Sequence, residues 1–134
     1  MTKPIDIVLK LMDPNADHAK TIRDAWESDD EEFFIGLDMS TNRSLDFGIE
    51  KVPGLPEDDE EPGTLTFQQF YQLAMGLAHD KPSFDEASRA IEEAAMSANA
   101  LEWNLWYRRI LLKSLTKYLP METIQTELIR LTSE

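Results

Sequence analysis

The 134-residue chain has no cysteine, which excludes a disulfide framework, a thiolate metal site and a cysteine nucleophile. Histidine is nearly absent too. His18 and His79 are its two representatives; His18 has no second ligand at metal spacing, and His79 could act as a base but has no serine nucleophile or orienting acid tied to it, so acid–base work would fall to carboxylates. There is no phosphate-cradling glycine loop, no zinc-binding HExxH and no nucleophile elbow. No apolar run approaches bilayer-spanning length, and the opening MTKPIDIVLKLMD meets Asp and Pro too early for a secretory signal. Together these gaps predict a non-catalytic intracellular protein without cofactor, metal or membrane contact.

Positive charge is also scarce. Thirteen Lys and Arg face 26 Asp and Glu, giving a formal net charge of −13. Residues 1–65 hold 6 bases and 17 acids, whereas 66–134 hold 7 and 9. The average field therefore repels phosphate, and any contact with nucleic acid must come from a local basic face. Hydrophobic residues at 42% and charged ones at 29% fit one globular domain with a real core.

What is present is helical periodicity. Lys3–Met12 reads as a first helix stopped by Asp13-Pro14, and Ala16–Glu27 as a second, capped by Asn15 or Asp13 with Ala19, Ile22 and Trp26 inward. Three capping boxes then mark helix starts at Ser28–Glu31, Thr66–Gln69 and Ser83–Glu86. The first opens a helix through Phe33, Phe34 and Leu37 to about Met39, broken by Ser40–Ser44. Gly48, inside the compact LDFGI, suits a tight turn or a close backbone approach. The second box opens a helix burying Phe67, Phe70, Tyr71, Ala74 and Leu77, and the third an alanine-rich helix to about Ala98. Pro120 starts a last helix, Met121–Leu131. With no strand alternation and no solenoid repeat, the expected fold is all-α, a compact orthogonal bundle of six to seven short helices over residues 1–134.

The organising stretch is Leu101–Tyr118, LEWNLWYRRILLKSLTKY. On one continuous helix Trp103, Tyr107, Ile110 and Leu111 share a side. Arg109, Lys113 and Lys117 recur at four-residue steps on another, beside Arg108 and one turn after Trp106. Two readings stand: an amphipathic helix with a solvated basic face, or a docking face for phosphate or an acidic partner. Phe33, Phe34, Phe67, Phe70, Trp103 and Tyr107 are expected in the core, while Trp106 is expected toward the basic stripe. The proline-rich acidic loop of residues 51–65 carries Glu57, Asp58, Asp59, Glu60 and Glu61 in a row. It lacks the alternating acids and central glycine of a calcium loop.

The order FFIGLDMSTNRSLDFGIEKVPG, variable loop, GTLTFQQFYQLAMGLA, EWNLWYRRILLKSLTK resembles the N-terminal helical domain of T-even-phage-type ATP-dependent DNA ligases. The residues that carry the resemblance are Phe47-Gly48-Ile49 with Lys51 and Pro53, Leu65-Thr66, Glu102-Trp103-Asn104, and Arg108 through Lys113 with Leu115. Lys117-Tyr118-Leu119-Pro120 departs from the family's usual Cys-Gly, and Gln125 from its asparagine. The resemblance implies a DNA-binding module of a phage ligase, or a free-standing relative, working in the cytoplasm of an infected bacterium. It has no adenylation domain and so no nick sealing of its own. Arg43, Lys51, Trp106, Arg108, Arg109, Lys113 and Lys117 would then meet the backbone of duplex or nicked DNA. The ligase catalytic domains and the replication sliding clamp are further implied partners. The other reading is an acidic interaction protein that meets a basic host or replication protein through Glu57–Glu61, as a DNA mimic or inhibitor.

Overall fold

Capping chemistry fixes most helix starts. The computed structural model describes residues 3–49, 51–55 and 63–133, so the acids Glu57–Glu61 lie outside the described residues. Helix α1 (Pro4–Met12) has proline in its first turn and ends at Asp13. Helix α2 (His18–Glu27) is capped by Asp17, whose carboxylate accepts from the Lys20 N–H at 3.1 Å. Asn15 and Asp13, the expected caps, instead form the preceding turn, with the Asn15 N–H donating to Asp13 at 2.9 Å. In α2, Ile22 and Ala25 are buried whereas Trp26 is 39% exposed.

Helix α3 (Glu31–Thr41) does not start with the expected box. Ser28 is consumed as the C-cap of α2, its N–H bonding Asp24 O, and Asp29 then turns the chain at φ 55°. A residue that closes one helix cannot also cap the next. Helix α4 (Phe67–His79) does open with the full box: Gln69 N–H to Thr66 Oγ1 at 3.1 Å and Thr66 N–H to Gln69 Oε1 at 3.0 Å. Helix α5 (Phe84–Ser97) starts at Ser83, which accepts from the Glu86 N–H at 3.3 Å. Gly48 has φ +70° with nothing within 4 Å of a built Cβ, so the turn itself, rather than a close neighbour, requires glycine there.

The stretch expected as one helix over Leu101–Tyr118 is interrupted. Helix α6 (Ala100–Glu102), capped by Asn99, runs into a π-helical turn, Trp103–Tyr107, where the Arg108 N–H reaches Trp103 O. Helix α7 (Arg108–Leu111) then ends. The Ser114 N–H bonds Arg109 O at 2.9 Å and the Lys113 N–H bonds Ile110 O at 3.0 Å, the paired bonds of a Schellman termination. Lys113 occupies the left-handed position at φ 56°, usually a glycine's. A 3-10 turn, Leu115–Tyr118, leads to the last helix, α8 (Met121–Thr132). With α6, the π turn and α7 as one continuous rod, the protein is an all-α domain of seven helices with no strand among the described residues.

That rod is central, not peripheral. Trp103, Trp106, Tyr107, Ile110 and Leu111 are all buried. The Trp106 ring stacks on Phe33 of α3 (centroids 5.8 Å apart, 12° between planes) and tilts against Phe67 of α4 at 6.2 Å. Phe70 meets Tyr107 at 4.6 Å. The expectation that Trp106 faces the basic stripe is therefore overturned, because α3 and α4 cover the flank an isolated amphipathic helix would leave wet. Phe33, Phe67, Phe70, Trp103 and Tyr107 are core as expected, and Phe34 is half-buried; Tyr71 is 40% exposed rather than buried. Helix α8 packs on α2, where the buried Glu127 pairs with Arg130 and, at 3.4 Å, with Arg23.

Candidate nucleic-acid interface

The rod's polar side chains act first on their own chain. Residues 51–55 lie along it, held by four bonds. The Trp103 Nε1–H donates to Pro53 O at 2.7 Å and the Arg108 Nε–H to Val52 O at 2.7 Å. The Asn104 amide takes both groups of one residue, donating to Leu55 O at 2.8 Å and accepting from the Leu55 N–H at 2.7 Å. Asn104 thus pairs a backbone segment much as a neighbouring strand would, satisfying groups that would otherwise compete for water. Sequence reasoning assigned it no task of this kind; its one physical signal was an asparagine inside a helical run, where that residue is unfavourable without a partner.

Lys113 performs a similar task. Its ammonium donates to Asn42 O and Leu45 O, the carbonyls that follow α3. A cation at a helix C-terminus answers both the unpaired carbonyls and the negative end of the dipole. The left-handed backbone at Lys113 is disfavoured for a side-chain-bearing residue by roughly 1 kcal/mol, a cost these two bonds offset. Lys113→Ala is accordingly expected to lower stability by about 1–2 kcal/mol. Lys113→Gly loses the same bonds but relieves the backbone, so it should be the milder change in chemical denaturation. Equal losses for the two would remove the assigned backbone role.

The expected stripe of Arg109, Lys113 and Lys117 is not a stripe. The helix ends between the first and second members, so the four-residue step no longer places them on one face. Arg109 is half-buried, its Cζ 3.6 Å above the Tyr118 ring centroid and one Nη 3.6 Å from Met12 Sδ. Burial lowers its pKa, Tyr118 counters this and Arg108 adds to it, yet a guanidinium stays charged. Arg108 and Lys113 are half-buried against backbone carbonyls. Arg43, Lys51 and Lys117 are exposed. Trp106 leaves the set altogether, being 1% exposed.

Each of the two loops held to the rod carries an exposed cation. Arg43 lies next to Asn42, held by Lys113, and Lys51 lies next to Val52, held by Arg108. None of the six basic candidates is in an ion pair among the described residues, where Glu127 with Arg23 and Arg130 makes the ion pairs. Carbonyl oxygens lend partial charge but cancel no full one, and among the described residues no carboxylate pairs with Arg43, Lys51, Arg108 or Lys113. Such a surface, without catalytic groups, can bind phosphate oxygens and position a backbone. No group of His, Cys, Asp and Glu among the described residues could hold a metal ion. No helix described is long and apolar enough to cross a membrane.

No family model matches the chain, and no curated protein does. Two solved structures do. "Pmar-Lig_PreS3" superposes with a TM-score of 0.84 at 27% identity, covering 99% of this chain and 31% of that one. "Pmar-Lig_Pre." superposes with a TM-score of 0.83 at 29% identity, covering 97% and 30%. The chain thus spans about three tenths of the length of the proteins it matches, and their catalytic domain is not covered. Nearly all of its fold is accounted for by this likeness: the chain resembles the N-terminal region of a DNA ligase.

Proposed function

We propose that this chain is a non-catalytic DNA-binding domain of a phage-type DNA ligase, or a free-standing relative, that grips the duplex backbone beside a nick. The observation that carries it is a set of cations without ion pairs among the described residues, on and beside the loops stitched to the rod, in a fold that resembles the start of a ligase. Arg43, Lys51 and Lys117 are exposed and reach phosphate directly; Arg108 and Lys113 hold the loops in place and add field; Arg109 contributes beside Tyr118. Because such binding reads charge and not base edges, affinity should be nearly indifferent to sequence and strongly dependent on salt.

The exposed residues make the cleaner test, since Arg108 and Lys113 also support the fold. The triple variant Arg43→Gln/Lys51→Gln/Lys117→Gln should keep the parent's thermal unfolding midpoint. On nicked duplex it should bind more weakly, with the salt slope of log K shallower by about one for each phosphate that is no longer neutralised. A variant with the parent's slope would end the proposal. The net charge of −13 favours a second reading, an acidic domain that meets a basic protein. Absence of any salt-dependent binding by the parent, on nicked or intact duplex, would favour it.

A further inference from the structure

Between α2, α3 and α4 lies a trough that neither reading has used, running from Trp26 to Asn42 and Leu45, the loop residues that Lys113 holds. Two adjoining cavities of about 400 and 580 Å³ share Phe34 and Ile35. Trp26 (39% exposed), Ile35 (40%) and Tyr71 (40%) line them, with Met75 half-buried between. Trp26 meets Phe34 edge-on at 5.6 Å, so its ring is held in place rather than loose in solvent. Contiguous exposed apolar surface with aromatic members is the usual composition of a docking face.

Two further observations say what covers it. The first is charge. Residues 24–38 carry Asp24, Glu27, Asp29, Asp30, Glu31, Glu32 and Asp38 without one Lys or Arg. Asp29, Asp30, Glu31 and Asp38 line the trough, and none of them is in an ion pair among the described residues. The second is Asp30 itself. It is 6% exposed, it lines both the cavity beside Trp26 and the one beside Lys10 and Lys20, and its Oδ1 has no hydrogen-bond partner among the described residues. A buried carboxylate oxygen left unpaired is costly, and positive charge brought close by an occupant would offset part of that cost.

The geometry points to a docking site for a cationic amphipathic helix of a protein partner. Its aliphatic side chains would lie over Trp26, Phe34, Ile35 and Tyr71, and its Lys or Arg residues would meet Asp29, Asp30 and Glu31. The inference is separate from the DNA-binding reading, since it uses acidic side chains with Trp26, Ile35 and Tyr71 rather than the cations, although the trough ends at the loop that Lys113 holds. A helix laid in a groove meets such a surface with apolar anchors one turn apart.

The probe is a fluorescein-labelled peptide, about four helical turns of leucine and lysine at helical spacing, compared with its leucine–glutamate counterpart. The lysine peptide should shift the Trp26 indole N–H and Ile35 methyl resonances and bind with measurable anisotropy; the glutamate peptide should do neither. Asp29→Asn/Glu31→Gln should weaken binding about five- to tenfold, the scale of two part-exposed charge pairs. Glu92→Gln/Glu93→Gln, an equal charge change on exposed residues of α5, should leave it within about twofold. Ile35→Ser should also weaken it, with the thermal midpoint unchanged. Equal losses from the two acid pairs, or shifts that avoid Trp26 and Ile35, overturn the site. Sedimentation showing that the peptide-free chain dimerises through Ile35 would overturn the assigned occupant in favour of a second copy.

Discussion

Trp106→Ala should lower the unfolding free energy by about 3–5 kcal/mol, the range for emptying a fully buried large aromatic site. The ring is 1% exposed and lies between Phe33 and Phe67, on helices whose relative placement it helps to set. Phenylalanine is the informative companion. Trp106 Nε1 is buried without a hydrogen-bond partner among the described residues, so Trp106→Phe loses volume and stacking but also removes an unsatisfied donor. It should cost about 1 kcal/mol or less. Urea unfolding followed by far-ultraviolet circular dichroism reads both, and a loss below about 1 kcal/mol for the alanine variant would mean the indole is not the keystone claimed.

The second large effect lies at the six-membered-ring edge of the same indole. Gly36 sits inside α3, where alanine would ordinarily stabilise a helix by about 0.5–1 kcal/mol. Here a Cβ would fall 2.4 and 2.5 Å from Trp106 Cη2 and Cζ2, and 3.0 Å from Ile110 Cδ1. Neither neighbour can yield easily, since both are fully buried. Gly36→Ala should therefore destabilise by about 1–3 kcal/mol, reversing the sign its helix propensity gives. Shortening the indole ought to make room: in Gly36→Ala/Trp106→Phe the combined cost should fall below the sum of the single costs by about 1 kcal/mol. Strict additivity would refute the steric account.

These two positions show why the sequence misplaced Trp106. Periodicity in one segment reports which of its residues are apolar, not how many neighbours surround it. Leu101–Tyr118 reads as a surface helix with one wet flank because Arg109, Lys113 and Lys117 fall in step. Gly36, far upstream and outside that period, opens the gap through which α3 covers the flank. The helix stop was hidden for a related reason. Terminations are read from glycine, asparagine or proline, and Lys113 is none of these; it takes the left-handed position because Asn42 O and Leu45 O lie within reach of its ammonium. Ser28 has the chemistry of a helix start, and no local signal shows that it closes α2 instead.

The sequence by itself determined the all-α class, the starts of α1, α4, α5 and α8, and most of the aromatic core, because capping side chains and helical period act over a few residues. It also determined that any phosphate-binding surface must be local in so acidic a chain. Tertiary structure alone decided that the rod is central, that Asn104, Arg108 and Lys113 stitch distant loops to it, and that Arg43 and Lys51 end up beside those stitches. Each of these rests on pairs of residues about 50 to 70 positions apart, which no local pattern encodes.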